Sequence, residues 1–283
     1  MYLQLTCKIR KWRIFINCDD DIADQMCKIV GRFSIEPVLQ NETDKNVICI
    51  STNQNGSFNI EYNSSFYVAQ TINDVLFLLY EAIDFYTKNA AYSKELSSDY
   101  CILHGGSVSY KNKAIGILAP SMTGKSTMIC ELVSRGFNYV ADDYLFYHDD
   151  KVVPFQLPLR LRSIKCLSRD VRPYIILEGY NPYTNDYEYI LDCPSELSEQ
   201  TLAAIWVINR GDSKDVEISR MDSRSSFLTL VLNGKRSDSS EIINNYSSML
   251  SISKSVPIYA ITYAEVEDGA IELIKRMEDN VYE

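Results

Sequence analysis

The run Ala119-Pro120-Ser121-Met122-Thr123-Gly124-Lys125-Ser126-Thr127 has the spacing Ala-x4-Gly-Lys-Ser. This is the pattern of a phosphate-binding loop in which Ala119 stands where the first glycine usually sits. In such a loop the backbone N–H groups converge on one anion, the lysine reaches the β- and γ-phosphates of a nucleotide, and the following hydroxyl holds Mg²⁺. Lys125 and Ser126 are placed for those two roles. Ala119 fits provided its φ is negative, since only a positive φ demands glycine. The plain alternative is a solvated turn that caps a helix and binds nothing. The flanking segments speak against it. Ala114 to Leu118 is a short apolar run typical of a buried strand. Ser126 to Arg135 carries Ile129, Leu132 and Val133 at helical spacing, with Gly136 as a C-terminal stop.

Phosphoryl transfer needs more than a cradle. It also needs a carboxylate for the metal and a base for the incoming nucleophile. Phe137 to Asp143 reads as a strand ending in two acids, Asp142 and Asp143. Strands of this kind end at the carboxyl edge of the sheet, where ligands collect. The alternative for this pair is a solvated strand end. His104, in Cys101-Ile102-Leu103-His104-Gly105-Gly106, reads on its own as a structural histidine. Leu157 to Pro173 is basic, with Arg160, Arg162, Lys165, Arg169 and Arg172 against the single acid Asp170. Arg160 and Arg162 alternate along a strand, so both project from one face. They suit either a clamp for the γ-phosphate or an acidic peptide, or a salt-bridged surface.

The elements that must position these groups follow from periodicity. Tyr2 to Asn17 reads as two strands turning near Arg10-Lys11, and Ile22 to Val30 as an amphipathic helix led by Asp19, Asp20 and Asp21. Val47 to Ser51 and Phe58 to Tyr62 are strands, and Thr71 to about Thr87 is a helix with Val75, Leu78, Leu79, Ile83 and Tyr86 on one face. Lys88 to Asp99 is polar and reads as a linker. Ser107 to Tyr110 and Ala114 to Leu118 form a hairpin about Lys111-Asn112-Lys113. Tyr180 to Tyr189, rich in Tyr, Asn and Asp, reads as an exposed loop. Leu202 to Ile208 and Pro257 to Tyr263 are strands. Ser225 to Leu232, Ser239 to Leu250 and Glu267 to Met277 are helices.

Composition narrows the partners. The 283 residues carry a net charge of -10, with a pI near 4.9, which disfavours general binding to nucleic acid or an anionic membrane. The strongest apolar stretch, Val75 to Tyr80, is far too short to span a bilayer. No signal-type apolar block accompanies Lys8, Arg10, Lys11 and Arg13. The eight cysteines include no Cys-x-x-Cys pair and only two histidines exist, so the thiols read as reduced and a structural zinc site lacks ligands. A cytoplasmic location is the expectation.

One helix separates Lys125 from Asp142, a compact order with His104-Gly105 just upstream. This order resembles the HPr serine kinase/phosphorylase family and the wider kinases built like it. The resemblance rests on Leu103-His104-Gly105, on Ala119 to Thr127, on Glu131-Leu132-Val133-Ser134-Arg135-Gly136 and on Val140-Ala141-Asp142-Asp143. It implies an α/β fold with a P-loop kinase domain of the HPr kinase/phosphoenolpyruvate carboxykinase-like type over residues 100–283. A small α/β domain over residues 1–95 would serve as scaffold or in substrate recognition. It implies ATP and Mg²⁺, with Lys125 on phosphate, Ser126 and Asp142 on the metal, Asp143 as general base, and His104 near the carboxylates, tuning them. The glycine-containing signature that accompanies phosphorylase activity is not found downstream, and the first hundred residues differ from those of the HPr-specific enzymes. The chain looks closer to kinases that phosphorylate ribosomally made precursor peptides. The expectation is a serine kinase acting on a peptide or small protein. A small-molecule kinase for free serine, a nucleotide-binding scaffold and an ATPase driving assembly are the alternatives, and the oligomeric state, a homo-oligomer included, is left open.

Overall fold

In a computed structural model of the chain, the residues described are 2–6, 13–38, 46–91, 100–120, 122–155, 157–234 and 242–280. The expected turn at Arg10-Lys11, Ser121 of the loop, and residues 92–99 of the expected linker lie outside them.

The chain divides into two compact units, and the division is not serial: Met1–Ala91, Gln156–Ser163 and Ile175–Asp192 form the first, and the remaining segments form the second. The first unit opens with β1 (Tyr2–Thr6), β2 (Arg13–Asn17), α1 (Asp20–Val30), β3 (Ser34–Pro37), β4 (Val47–Thr52), β5 (Phe58–Tyr62), β6 (Ser65–Ala69) and α2 (Ile72–Ala91). Its six-stranded sheet has the order β3-β1-β2-β4-β5-β6, antiparallel except for the β2–β4 pair. The second unit begins with β7 (Cys101–Leu103), β8 (Gly105–Tyr110), β9 (Lys113–Leu118), α3 (Lys125–Ser134), β10 (Asn138–Ala141), β11 (Leu145–His148) and β12 (Lys151–Val153). The chain then returns to the first unit for β13 (Leu159–Leu161), β14 (Ile175–Tyr180) and β15 (Tyr187–Leu191). It closes in the second unit with β16 (Gln200–Arg210), β17 (Glu217–Arg220), α4 (Ser223–Asn233), α5 (Ile242–Ser255), β18 (Ile258–Tyr263) and α6 (Val266–Asn280). The protein is thus mixed α/β. Among the described residues no helix is long and apolar enough to cross a membrane, and every described cysteine is free.

Two sequence expectations need correction. The helix expected to end near Thr87 continues to Ala91, because Lys88, Ala90 and Ala91 are good helix formers that extend the last turn. The segment from Tyr180 to Tyr189 is not an exposed loop throughout: β14 and β15 pair antiparallel, with Tyr180 opposite Tyr187, and only the tip between them turns. Asn and Asp suggested a loop, but they close the turn. Asn181 N–H donates to the Asp186 carbonyl at 2.9 Å, and Asn185 takes a left-handed φ of 58°. Glu188, wholly buried on β15, is satisfied there by Asn181 Nδ2 at 2.8 Å and Thr184 Oγ1 at 3.1 Å.

In the second unit a sheet runs β10-β8-β9-β16-β12-β11-β7, with β18 beside β16. β8 is antiparallel to both β9 and β10, so β9 and β10 point the same way. β16 is parallel to β9 and β18 to β16. Four strands therefore end at one edge, the geometry that gathers ligand-binding loops in α/β sheets. Below that edge lies a core of Cys101, Leu103, Ala114, Leu118, Val140, Leu145, Leu202, Ile205 and Ile258, to which α4 and α5 add Leu230, Met249 and Ile252.

Candidate active site

β9 ends at Leu118 and α3 begins at Lys125, so residues 119–124 form the connection between a buried strand and a helix N-terminus. Ala119 is buried and is not among the positive-φ residues, so the missing glycine costs no strain. Gly124 caps the helix with φ 100°, where any side chain would be strained, and its carbonyl accepts the Met128 N–H at 2.9 Å. Met122 also has a positive φ, 68°, and projects into solvent. The first turn of α3 holds no acidic residue, so its free N–H groups meet no competing carboxylate from the helix itself. Thr123 and Thr127 complete the described part of the loop. The far end stops as expected: Gly136, φ 98°, donates to the Val133 carbonyl at 2.9 Å.

The twin acids arrive by a different route. β10 pairs with β8 through a register shift between Tyr139 and Ala141, and the Val140 carbonyl freed there accepts the Phe155 N–H at 2.8 Å. Such a bulge re-aims the residues that follow it. Asp142 is buried, and Asp143 adopts φ 63°, a left-handed conformation uncommon outside glycine and tolerated best by Asn, Asp and His. Departures of this kind concentrate at functional sites.

The two routes meet. Lys125 Nζ donates to Asp142 Oδ1 in a very short contact and to Asp143 Oδ1 at 2.9 Å. Asp142 also accepts the Asp143 N–H at 2.9 Å, and Ser126 lies near enough to help hold its carboxyl pKa down. Lys125 and Asp142 have side chains only 8% and 9% exposed, whereas that of Asp143 is 42% exposed. Burial pushes the Asp142 carboxyl above the usual carboxylate range, Lys125 opposes the rise, and the neighbouring Asp143 adds to it. Burial also works against the Lys125 ammonium, but the two carboxylates outweigh it and hold its pKa above the ordinary lysine value. The result is a lysine favoured in its charged form between a buried acid and a half-exposed one.

The remaining expected residues sit as follows. The His104 N–H donates to the Asn233 carbonyl at 2.6 Å, and its ring Nδ1 lies 3.3 Å from the main-chain carbonyl of Asp143, so it steadies the turn that presents the acid. Glu131, fully buried, accepts from Arg135 Nε at 2.9 Å and from the Ser168 N–H at 3.0 Å. Its role is to tie the segment after β13 to α3. Arg160 belongs to the first unit. Its guanidinium pairs with Glu81 on α2, lies 4.0 Å from Glu188, and stands over the Tyr80 ring. Arg162 faces Asp186 at 3.8 Å in the same unit. The structure therefore brings together Lys125, Ser126, Asp142, Asp143 and His104, and gives Arg160 and Arg162 carboxylate partners of their own.

Gly106 is a residue that sequence reasoning passed over. A Cβ there would lie 2.2 Å from Ile129 Cδ1, 2.8 Å from the Ala141 carbonyl and 3.2 Å from Asp142 Oδ1. The Gly105-Gly106 pair at the start of a strand was the available signal, because glycine in a strand often marks a close approach. Gly106→Ala is expected to push Asp142 away from Lys125 and to destabilise the protein by about 1–3 kcal/mol. An unchanged urea midpoint would show that the packing is looser than this geometry.

A hydroxyl and a carboxylate side by side, as Ser126 and Asp142 are, match the two protein ligands a nucleotide-bound Mg²⁺ takes in phosphate-loop enzymes. Among the described residues no three His, Cys, Asp or Glu side chains converge as a metal cage.

No protein-family model matches the chain, and no curated protein does. Among solved structures it is similar to the HPr(Ser) kinase/phosphatase from Coxiella burnetii, at 13% identity and a TM-score of 0.31, with 63% of this chain and 95% of that one covered. A likeness this distant assigns neither an activity nor a residue role to the chain.

Proposed function

We propose that the second unit is an ATP- and Mg²⁺-dependent serine kinase acting on a peptide or small protein. The observation that carries this reading is Lys125, at the end of the loop, donating to both Asp142 and Asp143, with Ser126 beside Asp142. The backbone N–H groups at the start of α3 and the Lys125 ammonium hold the phosphate tail of the nucleotide. Lys125 exchanges a carboxylate contact for a phosphate oxygen, which its long flexible stem permits. Ser126 and Asp142 would hold the metal ion, which would supply charge neutralisation for the phosphoryl group being transferred. Asp143 orients the acceptor hydroxyl and takes its proton as the new O–P bond forms and the bond to the β-phosphate breaks, leaving ADP and a phosphoserine. The difference in burial suits this division: the buried acid stays with the metal and the half-exposed one meets the substrate. His104, through the Asp143 carbonyl, keeps that acid in place.

The test is incubation of the full chain with ATP, Mg²⁺ and serine-containing peptides, with products weighed by mass spectrometry. Phosphate on a peptide serine, lost when Mg²⁺ is chelated, is the expected result. Phosphate on free serine alone would point to a small-molecule kinase. Phosphate released without an acceptor would point to an ATPase. ATP left intact in every arm would end the kinase reading.

A further inference from the structure

A second cation stands beside the loop. The register of β16 against β9 sets Val207 opposite Leu118, so residues 208–210 run past the end of β9 to the height of the loop. Arg210 is the last residue of β16. Its guanidinium is fixed in two ways. Nη1 donates to the Ala264 carbonyl at 2.5 Å, and the plane lies 4.9 Å from the centre of the Tyr263 ring on the neighbouring strand. The other donors face the loop: Nη2 and Nε are 3.5 and 3.7 Å from the point where a Gly124 Cβ would stand.

Lys125 is already shared by two carboxylates, whereas among the described residues no carboxylate pairs with Arg210. A guanidinium carries five donors, and one carbonyl and one ring leave most of its charge uncompensated. Its exposed position lets a ligand reach it. The ring and the carbonyl hold the plane in place before any ligand arrives, which lowers the ordering cost of binding.

On the nucleotide reading above, we infer that Arg210 is a phosphate-contacting residue of the same site, supplying the positive charge that Lys125 shares with its acids. Its partner is a phosphate oxygen, not the base or the ribose, because the free donors lie against the glycine of the phosphate cradle.

Binding of ATP and of inorganic tripolyphosphate to the full chain, measured by calorimetry at fixed salt, tests this. Arg210→Gln is expected to weaken both ligands by roughly tenfold, the loss of one charge-assisted contact. Arg210→Lys, which keeps the charge, is expected to lose less than the glutamine variant. An unchanged melting temperature of the ligand-free variants would separate a lost contact from lost folding. If Arg210→Gln does not fold, the lysine variant still decides, since full retention of salt-sensitive tripolyphosphate binding supports the charge role and its abolition overturns it. A loss confined to ATP, with tripolyphosphate unaffected, would overturn the phosphate assignment, as would equal affinities in wild type and Arg210→Gln. Wild-type protein that binds neither ligand would instead remove the nucleotide reading beneath it.

Discussion

Lys125→Met is expected to abolish ATP binding and phosphoryl transfer and, separately, to destabilise the folded second unit. The two losses have different origins. The first removes the only charged side chain of the loop itself. The second leaves Asp142 buried beside Asp143 with no cation between them. Removing one partner of a buried ion pair costs about 3–5 kcal/mol, and the pair here is nearly closed to solvent. The pH dependence has a definite sign. Asp142 already binds its proton more tightly in the folded protein than in the unfolded chain, and loss of Lys125 raises that affinity further. A carboxyl with a raised folded pKa favours folding below its unfolded pKa, near 3.9, and that contribution is lost as pH rises through the folded value. The stability gap between Lys125→Met and wild type should therefore narrow as pH is lowered from neutrality. A second substitution, Asp142→Asn, should recover much of the lost stability without restoring ATP binding. Denaturant midpoints across pH check this, and a gap that is constant or widens toward acid would contradict the buried-pair geometry.

Asp143→Asn is expected to lower transfer by roughly 10²–10⁴-fold, the range for loss of a general base, while ATP affinity changes only a few-fold. Asparagine is the right replacement for a structural reason. Asp143 has φ 63°, and asparagine tolerates that conformation where alanine would add strain. The backbone and the His104 contact to its carbonyl are therefore retained, and the variant differs mainly in its ability to accept a proton. Single-turnover phosphorylation alongside ATP calorimetry separates the two quantities. Full transfer by Asp143→Asn would remove the base from this position, and equal loss of binding and transfer would make Asp143 a ligand holder instead.

Much of the site could be read from the chain because its parts are local. A five-residue apolar run, a Gly-Lys-Ser turn and a helical stripe lie in one stretch of sequence, and the acids follow one helix later. Their approach to each other follows from strand direction: β9 and β10 share a neighbour antiparallel to both, so both must end at the same edge. What escaped sequence reading depends on partners far along the chain. Arg160 meets Glu81 across 79 positions, and a basic segment in an acidic protein gives no hint of which carboxylate it will find. β3 and β17 are short and mostly exposed, so they carry no alternation to recognise. The β14–β15 hairpin was hidden because Asn181 and Glu188 look solvated in sequence, yet they satisfy each other inside the first unit. Arg210 follows a recognisable buried strand, but only the register with β9 puts it beside the loop.

Titration of the wild-type chain with ATP, with Mg²⁺ and then with the metal chelated, is the most direct measurement. Saturable binding of one nucleotide per chain, tighter with Mg²⁺ and absent in Lys125→Met, is the result required if loop and twin acids share one phosphate tail. Absence of binding at millimolar ATP, or binding that Lys125→Met leaves unchanged, would contradict it.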